Sequence, residues 1–377
     1  MGAWPGKFVI GLTGNIATGK SVVRKMLEHL GAYGIDADAL GHRAIAQGAP
    51  GFQPVVDSFG KWILDTNGQI DRSRLARIVF SDPQALAYLE SIVHPLVRQA
   101  VDLLVRRSTH RVVVVEAIKL LEGELRARCD AIWVTYASRE VQLERLVQKR
   151  GMSDEIARQR INAQPAQEQK LAAADVVITN EGSYEDAWVQ VVTAWLETVP
   201  VLETTPLIPQ PETDGEILVE RARPRQASQI AAFINRLSAD DHHLDREDIM
   251  AAFGEKAYLL LKRGTRIVGL VGWQVENLVA RTADVFLEPG LSLDDSMSLL
   301  LAEVERASSE LQCEVSLLFL SPDLASHRSL WHNLGYEPRS IQSLGVRAWQ
   351  EAAIESLPAG AVLLFKQLRK DRILQPI

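Results

Sequence analysis

A chain of 377 residues is long enough for two or three domains. Its hydrophobic share of 47% and charged share of 24% are those of an ordinary globular protein, and 24 Gly with 16 Pro exclude collagen-like repeats and wholesale disorder. With 41 Lys and Arg against 48 Asp and Glu, the net charge of −7 provides no global basic field for nucleic acid or anionic lipid, and neither is an expected partner.

The longest apolar runs, such as Val112 to Val115, fall far short of the ~20 residues that span a bilayer. Cys129 and Cys313 stand far apart in no metal-ligand or redox spacing. The chain enters a glycine-rich turn straight after Phe8-Val9-Ile10, with no basic, cleavable leader before it. A cytoplasmic, reducing setting is the expectation.

In chain order, Phe8 to Leu12, Val112 to Val115, Ile132 to Val134 and Val176 to Ile178 are short, apolar and rich in β-branched residues, the pattern of buried parallel strands. Helical patterns over Arg72 to Phe80, Pro83 to Arg107 and Arg139 to Arg150 alternate with them, which predicts an α/β doubly wound sheet. Pro200, Pro206, Pro209 and Pro211 then break regular structure and predict an extended linker. The division expected is 1–199, a linker over 200–215, and 216–377.

Beyond the prolines, helical patterns at Gln226 to Leu237 and Ser296 to Leu311 flank consecutive strands near Tyr258 to Lys262, Ile267 to Glu276 and Val279 to Leu287. Two more strands, Glu314 to Leu320 and Ala361 to Leu368, follow, so this part predicts an α+β unit with a mostly antiparallel sheet.

Gly14-Asn15-Ile16-Ala17-Thr18-Gly19-Lys20-Ser21 matches G-x-x-x-x-G-K-[ST], with a strand leading in and a helix leading out. In such a loop the glycines let successive N–H groups wrap phosphate at a helix N-terminus, the lysine reaches the β- and γ-phosphates, and the serine hydroxyl ligates Mg²⁺. The motif points to ATP and Mg²⁺. No N-K-x-D guanine-reading tetrad is present, which argues against a GTPase.

After the loop helix, Asp36-Ala-Asp38 follows an apolar residue and would stand at the carboxyl end of a second strand, where a doubly wound sheet opens its ligand crevice. Asp36 is there either the acceptor of a proton from an attacking hydroxyl or a helix cap.

These residues, together with Gly48-Ala-Pro50, Leu75-Ala-Arg-Ile-Val-Phe80, Ile92-Val-His94-Pro95, Glu116-Ala-Ile-Lys-Leu-Leu121 and Ala174-Asp175 to Asn180, make the stretch from Phe8 to Leu196 resemble the dephospho-CoA kinases. The resemblance implies a P-loop kinase fold with a parallel sheet and a helical lid. It also implies phosphorylation of the ribose 3′-hydroxyl of dephospho-CoA by ATP and Mg²⁺. By that resemblance Asp36 is the general base, and Asp38 and His42 belong to the acceptor site; His94 either joins them or only packs at the bend before Pro95. The same resemblance makes Gly14 to Ser21 and Val22 the donor cradle.

Two departures stand out: Val22 where a second hydroxyl is usual after the loop serine, and Lys119 where a proline is usual. Glu116 could orient a metal-bound water or serve only as a strand-end acid. The basic stretch from Arg139 to Lys170 resembles a lid in which Arg145 and Arg150 would stabilise the transferring phosphoryl group; a solvated helix face is the alternative.

Residues 217–368 resemble the GNAT acetyltransferase fold through Ser329-Leu-Trp331-His-Asn-Leu-Gly335-Tyr336-Glu337 and the closing strand Val362 to Leu368. The helix start that would hold pyrophosphate in that family carries Asp294 and Asp295, and Trp331 stands at its frequent tyrosine position, so a non-catalytic module is expected. A CoA-type ligand, an active acetyltransferase tail or a different small-molecule acceptor for the kinase remain alternatives. Every residue invoked for phosphoryl transfer precedes the prolines, so residues 1–200 alone are expected to retain the chemistry. His242-His243 reads as loop surface.

Overall fold

A computed structural model describes residues 3–200, 217–238, 243–371 and 373; the linker expected over 200–215 (Pro200 apart) and His242 lie outside them. His243 is exposed, as expected of a loop.

In the N-terminal half, β1 (Phe8–Gly14), β2 (Tyr33–Asp36), β3 (Val112–Glu116), β4 (Ala131–Tyr136) and β5 (Val176–Thr179) form an all-parallel sheet of order β2-β3-β1-β4-β5. Parallel pairing needs crossover connections, which are helical here. α1 (Lys20–His29) joins β1 to β2, and α2 (Ala37–Ala44), α3 (Phe52–Phe59), α4 (Arg72–Val79) and α5 (Pro83–Arg107) lie between β2 and β3.

Four consecutive valines in β3 are buried because helices cover both faces. Val113 and Val115 join α5 residues Val101 and Leu104 in one cluster, while Val112 and Val114 join α1 residues Val23, Met26 and Leu27 in the other. The period of two along the strand thus feeds two cores. After β4 come α6 (Arg139–Glu144), α7 (Asp154–Asn162) and α8 (Gln167–Ala172), and α9 (Tyr184–Thr198) closes the half. The single helix expected over Arg139 to Arg150 is instead α6 followed by a π-helical turn, Arg145–Lys149. Such wide turns often mark functional positions.

The C-terminal half begins with β6 (Ile217–Arg221), α10 (Ala227–Leu237) and α11 (Arg246–Ala252). The meander β7 (Ala257–Arg263), β8 (Arg266–Glu276) and β9 (Val279–Leu287) follows, then α12 (Leu293–Glu310) and β10 (Val315–Leu320). Last come α13 (Pro322–Ala325), α14 (Arg328–Asn333), β11 (Glu337–Pro338), α15 (Arg347–Ser356) and β12 (Val362–Gln367). The sheet order is β11-β12-β10-β9-β8-β7-β6, antiparallel except where β9 meets β10. This is the α+β, mostly antiparallel unit that the pattern predicts. Trp331 is buried in its core and donates its indole N–H to Leu324 O at 2.8 Å. Among the described residues no helix is long and apolar enough to cross a membrane.

Candidate active site

β1 delivers the chain into the phosphate-type loop and α1 leads out of it, as the motif requires. The loop is held by its small residues. Gly19 has φ +92°, and a Cβ there would sit 1.8 Å from Asn180 Nδ2. Gly14 has φ +155°, and a Cβ there would sit 2.3 Å from Thr135 Oγ1. No side chain caps α1, so its first N–H groups keep their capacity for an anion.

Lys20 folds back over the loop, donating to Gly14 O and Asn15 O at 3.2 Å each. Burial lowers its pKa, with Glu116 and Asp38 opposing. The exposed Ser21 donates its hydroxyl to Glu116 Oε1 at 3.0 Å, while Glu116 Oε2 accepts from Arg24 Nε at 2.8 Å. Glu116 is therefore both a structural partner and a carboxylate on the loop serine. The Ser21 hydroxyl and this carboxylate are hard oxygen donors of the kind Mg²⁺ takes.

β2 ends at Asp36, whose Oδ1 accepts from Ala39 N at 2.8 Å and caps α2. Oδ2 has no hydrogen-bond partner among the described residues. Burial, then the neighbouring Glu116 charge, pushes the Asp36 carboxyl up to about 6. Asp38, also raised by burial, accepts from Ile118 N at 3.0 Å. The cap is therefore present, and it occupies only one of the two carboxylate oxygens. His42 on α2 and His94 on α5, one residue before Pro95, are exposed.

The lid segment lies on the loop. Gln164 Oε1 accepts from Ile16 N at 2.7 Å, and Asn15 Nδ2 donates to Pro165 O at 3.0 Å. Arg145 donates to Ala17 O at 3.1 Å and to Asn180 O at 2.8 Å, so its guanidinium holds backbone here. Arg150 is exposed and unpaired among the described residues, though close enough to depress the Lys20 pKa. Lys119 is exposed and pairs with Glu90.

Sequence reasoning assigned no role to three residues of the site. Lys170 is 3% exposed and donates to Ile118 O at 2.8 Å; burial lowers its pKa to about 8. Asn180 Nδ2 donates to Thr18 O at 3.0 Å, and Gln164 covers Ile16. A lysine at the end of a basic stretch, or an amide in a bend or after a strand, carries no signal of its partner without the fold.

The dephospho-CoA kinase family model matches residues 8–186. A dephospho-CoA kinase of Carboxydothermus hydrogenoformans is 42% identical over 188 residues, which cover 49% of this chain and 91% of that protein. One from Geobacter metallireducens is 43% identical over 194 residues, 51% of this chain and 96% of its own. The chain belongs to the dephospho-CoA kinase family.

Among solved structures, TT1252 from Thermus thermophilus is 32% identical, covers 51% of this chain and 98% of its own, and has a TM-score of 0.46. A GNAT-family acetyltransferase from Staphylococcus aureus covers 41% of this chain and 100% of its own, at 15% identity and a TM-score of 0.33. In this dephospho-CoA kinase family member, the loop, the acids at the ends of β2 and β3, and the segment carrying Gln164 all fall inside the matched residues.

Proposed function

We propose that the chain transfers the γ-phosphoryl group of ATP to the ribose 3′-hydroxyl of dephospho-CoA, giving coenzyme A and ADP. The observation that carries this reading is Asp36: a carboxylate at the end of a strand, raised to about 6 beside the phosphate loop, with one oxygen unclaimed. A base with that pKa is largely ionised at neutral pH yet close enough to it to accept a proton in the transition state. Asp36 Oδ2 takes the 3′-hydroxyl proton as the new O–P bond forms and the bridge to ADP breaks.

The N–H groups of Gly14 to Val22 cradle the donor phosphates, and Lys20 leaves its carbonyls to meet the β- and γ-phosphates. Gln164 must release Ile16 N for the same purpose. Mg²⁺ would supply charge neutralisation between the phosphates, and Ser21 with Glu116 would hold it. In this reading Asp38, His42 and His94 bind the acceptor. Arg150 supplies the lid cation, and Arg145 acts by fixing Ala17 and Asn180.

For the C-terminal half, residues 216–377, we propose an acetyltransferase-like module without acetyl transfer. Ser292 caps α12 with Asp294 and Asp295 in its first turn, and Trp331 is packed into the core with its N–H bonded to Leu324 O. Neither feature suits pyrophosphate or acid catalysis. Full-length protein should transfer no acetyl group from acetyl-CoA to amines.

The deciding experiment for the kinase is Asp36→Asn in the full chain. ATP binding should persist while the rate of dephospho-CoA phosphorylation falls by about 10²–10⁴-fold. Undiminished turnover sinks the role.

A further inference from the structure

The turn between β8 and β9 is built for a partner. It has two central residues, Asn277 at φ +53° and Leu278 at φ +61°, between the paired Glu276 and Val279. Left-handed pairs of this kind favour Asn-Gly, and a leucine there is strained. Exposed to water, such a leucine would have no compensation. Leu278 is instead 8% exposed, inside the apolar cluster of the first sheet with Tyr33, Ile35, Leu40 and Leu104.

Hydrogen bonds fix the turn to the two helices that flank the site. Lys25 on α1 donates to Val275 O at 2.7 Å. Arg43 on α2 donates to Asn277 O at 2.6 Å and to Glu314 Oε1 at 2.5 Å. Arg43 is 8% exposed and Glu314 only 1%, so this is a buried ion pair across the two halves. Glu314 is itself held: its N–H donates to Leu278 O at 2.8 Å, and its second oxygen accepts from Trp349 Nε1 at 3.2 Å. Farther along, Arg347 on α15 donates to Ile70 O at 3.1 Å, just before α4.

α2 is a rigid rod of eight residues that starts at its cap, Asp36, and carries Arg43 one residue from its end. Whatever fixes Arg43 fixes the direction in which α2 leaves Asp36. A cavity of about 40 Å³ beside Asp36 is walled on one side by Arg24, Gly34 and Leu40 and on the other by Val275 to Leu278. The turn therefore reaches the back of the acceptor site.

We propose that the C-terminal half is a working part of that site: Glu314, through Arg43, positions α2 and with it the carboxylate of Asp36. Arg43 and Glu314 are positioning residues, remote from the reacting atoms. The proposal rests on the reading of Asp36 as the base. It departs from the expectation that residues 1–200 suffice, because without Glu314 and Asn277 the Arg43 guanidinium has neither partner.

The test uses the full chain with Arg43→Met and Glu314→Leu combined. Removing both charges leaves no unpaired buried charge, although Asn277 O and Trp349 Nε1 each lose one partner, and apolar replacement of a whole pair is well tolerated by folding. Steady-state kinetics with dephospho-CoA and ATP are read beside denaturant unfolding. The double variant should unfold in the same cooperative manner as wild type, keep its KM for ATP within about twofold, and lose about tenfold or more in kcat, since misplacement of a catalytic group by an ångström is that costly.

A folded double variant with kcat and both KM values within about twofold of wild type overturns the proposal. So does a loss that falls equally on ATP, which would signify general loosening. If the double variant does not fold, Arg43→Lys decides: it keeps the charge but loses the planar fork whose two nitrogens reach Asn277 O and Glu314 separately, so kcat should fall several-fold at constant KM for ATP, and unchanged kcat overturns the proposal. If wild type leaves dephospho-CoA untouched, or Asp36→Asn is fully active, the reading of Asp36 fails instead, and the two failures are told apart.

Discussion

Two helices of this protein begin after a glycine turn, and they face opposite kinds of charge. α1 follows Gly19 at φ +92°, has no side-chain cap and no acid in its first turn, and carries Lys20 at its start. α12 follows Gly290 at φ +89°, is capped by Ser292, and carries Asp294 and Asp295 in its first turn. Both backbones offer the same partial positive charge. At α1 that charge is left for an outside anion, whereas at α12 a serine oxygen and two carboxylates of the chain answer it. A helix N-terminus is thus a phosphate site only when its own side chains decline to fill it.

The largest test of the contrast is Lys20→Ala. It removes the cation while leaving the turn and helix start in place, and kcat for phosphoryl transfer should fall by about 10²–10³-fold with KM much less affected. Equal activity would mean that the loop backbone alone does the work.

Gly19→Ala tests the backbone instead. A methyl group 1.8 Å from Asn180 Nδ2, at a φ of +92°, forces the loop to shift. ATP affinity measured by titration should fall by about tenfold or more, with stability lowered by about 1–3 kcal/mol. Unaltered affinity would contradict the geometry.

The acid beside the loop gives a pH test. Asp36 is raised to about 6 in the fold, above its unfolded value, so its charge weighs on the folded state above pH 6 and ceases to matter once pH falls below about 3.9. Asp36→Asn, an equally good cap, should therefore stabilise the protein by about 1–3 kcal/mol at pH 7 to 8, and the advantage should shrink as pH drops through 6. Denaturant unfolding across that range measures it. In wild type, kcat/KM should decline below pH 6 as the base takes up a proton.

The smallest effect belongs to α12. Asp294→Asn with Asp295→Asn should cost about 0.3–1 kcal/mol per charge from the helix start and leave kinase kcat unchanged. A substantial gain in acetyl-CoA binding by that variant would show that the acids alone closed a ligand site.

The parallel sheet, the loop and Asp36 were legible in the sequence because each rests on local pattern: β-branched runs, fixed glycine spacing, an acid at a strand end. The meander β7 to β9 was legible for the same reason, and Val279–Leu287 falls where the pattern places it. β6, α11 and α15 were not announced, since β6 is an edge strand of mixed exposure and the helices are short or follow irregular loops. The roles of Glu314, Asn277 and Lys170 could not be found from sequence. Their meaning comes from partners 271, 234 and 52 residues away, and no spacing rule reaches across such distances.

The most direct measurement incubates purified full-length protein with Mg·ATP, with and without dephospho-CoA, and follows ADP and the mass of the acceptor. ADP should form in step with a product heavier by one phosphate, located on the ribose 3′-hydroxyl, and only when dephospho-CoA is present. No conversion of dephospho-CoA, with phosphorylation of another small alcohol in the same assay, would contradict the assignment.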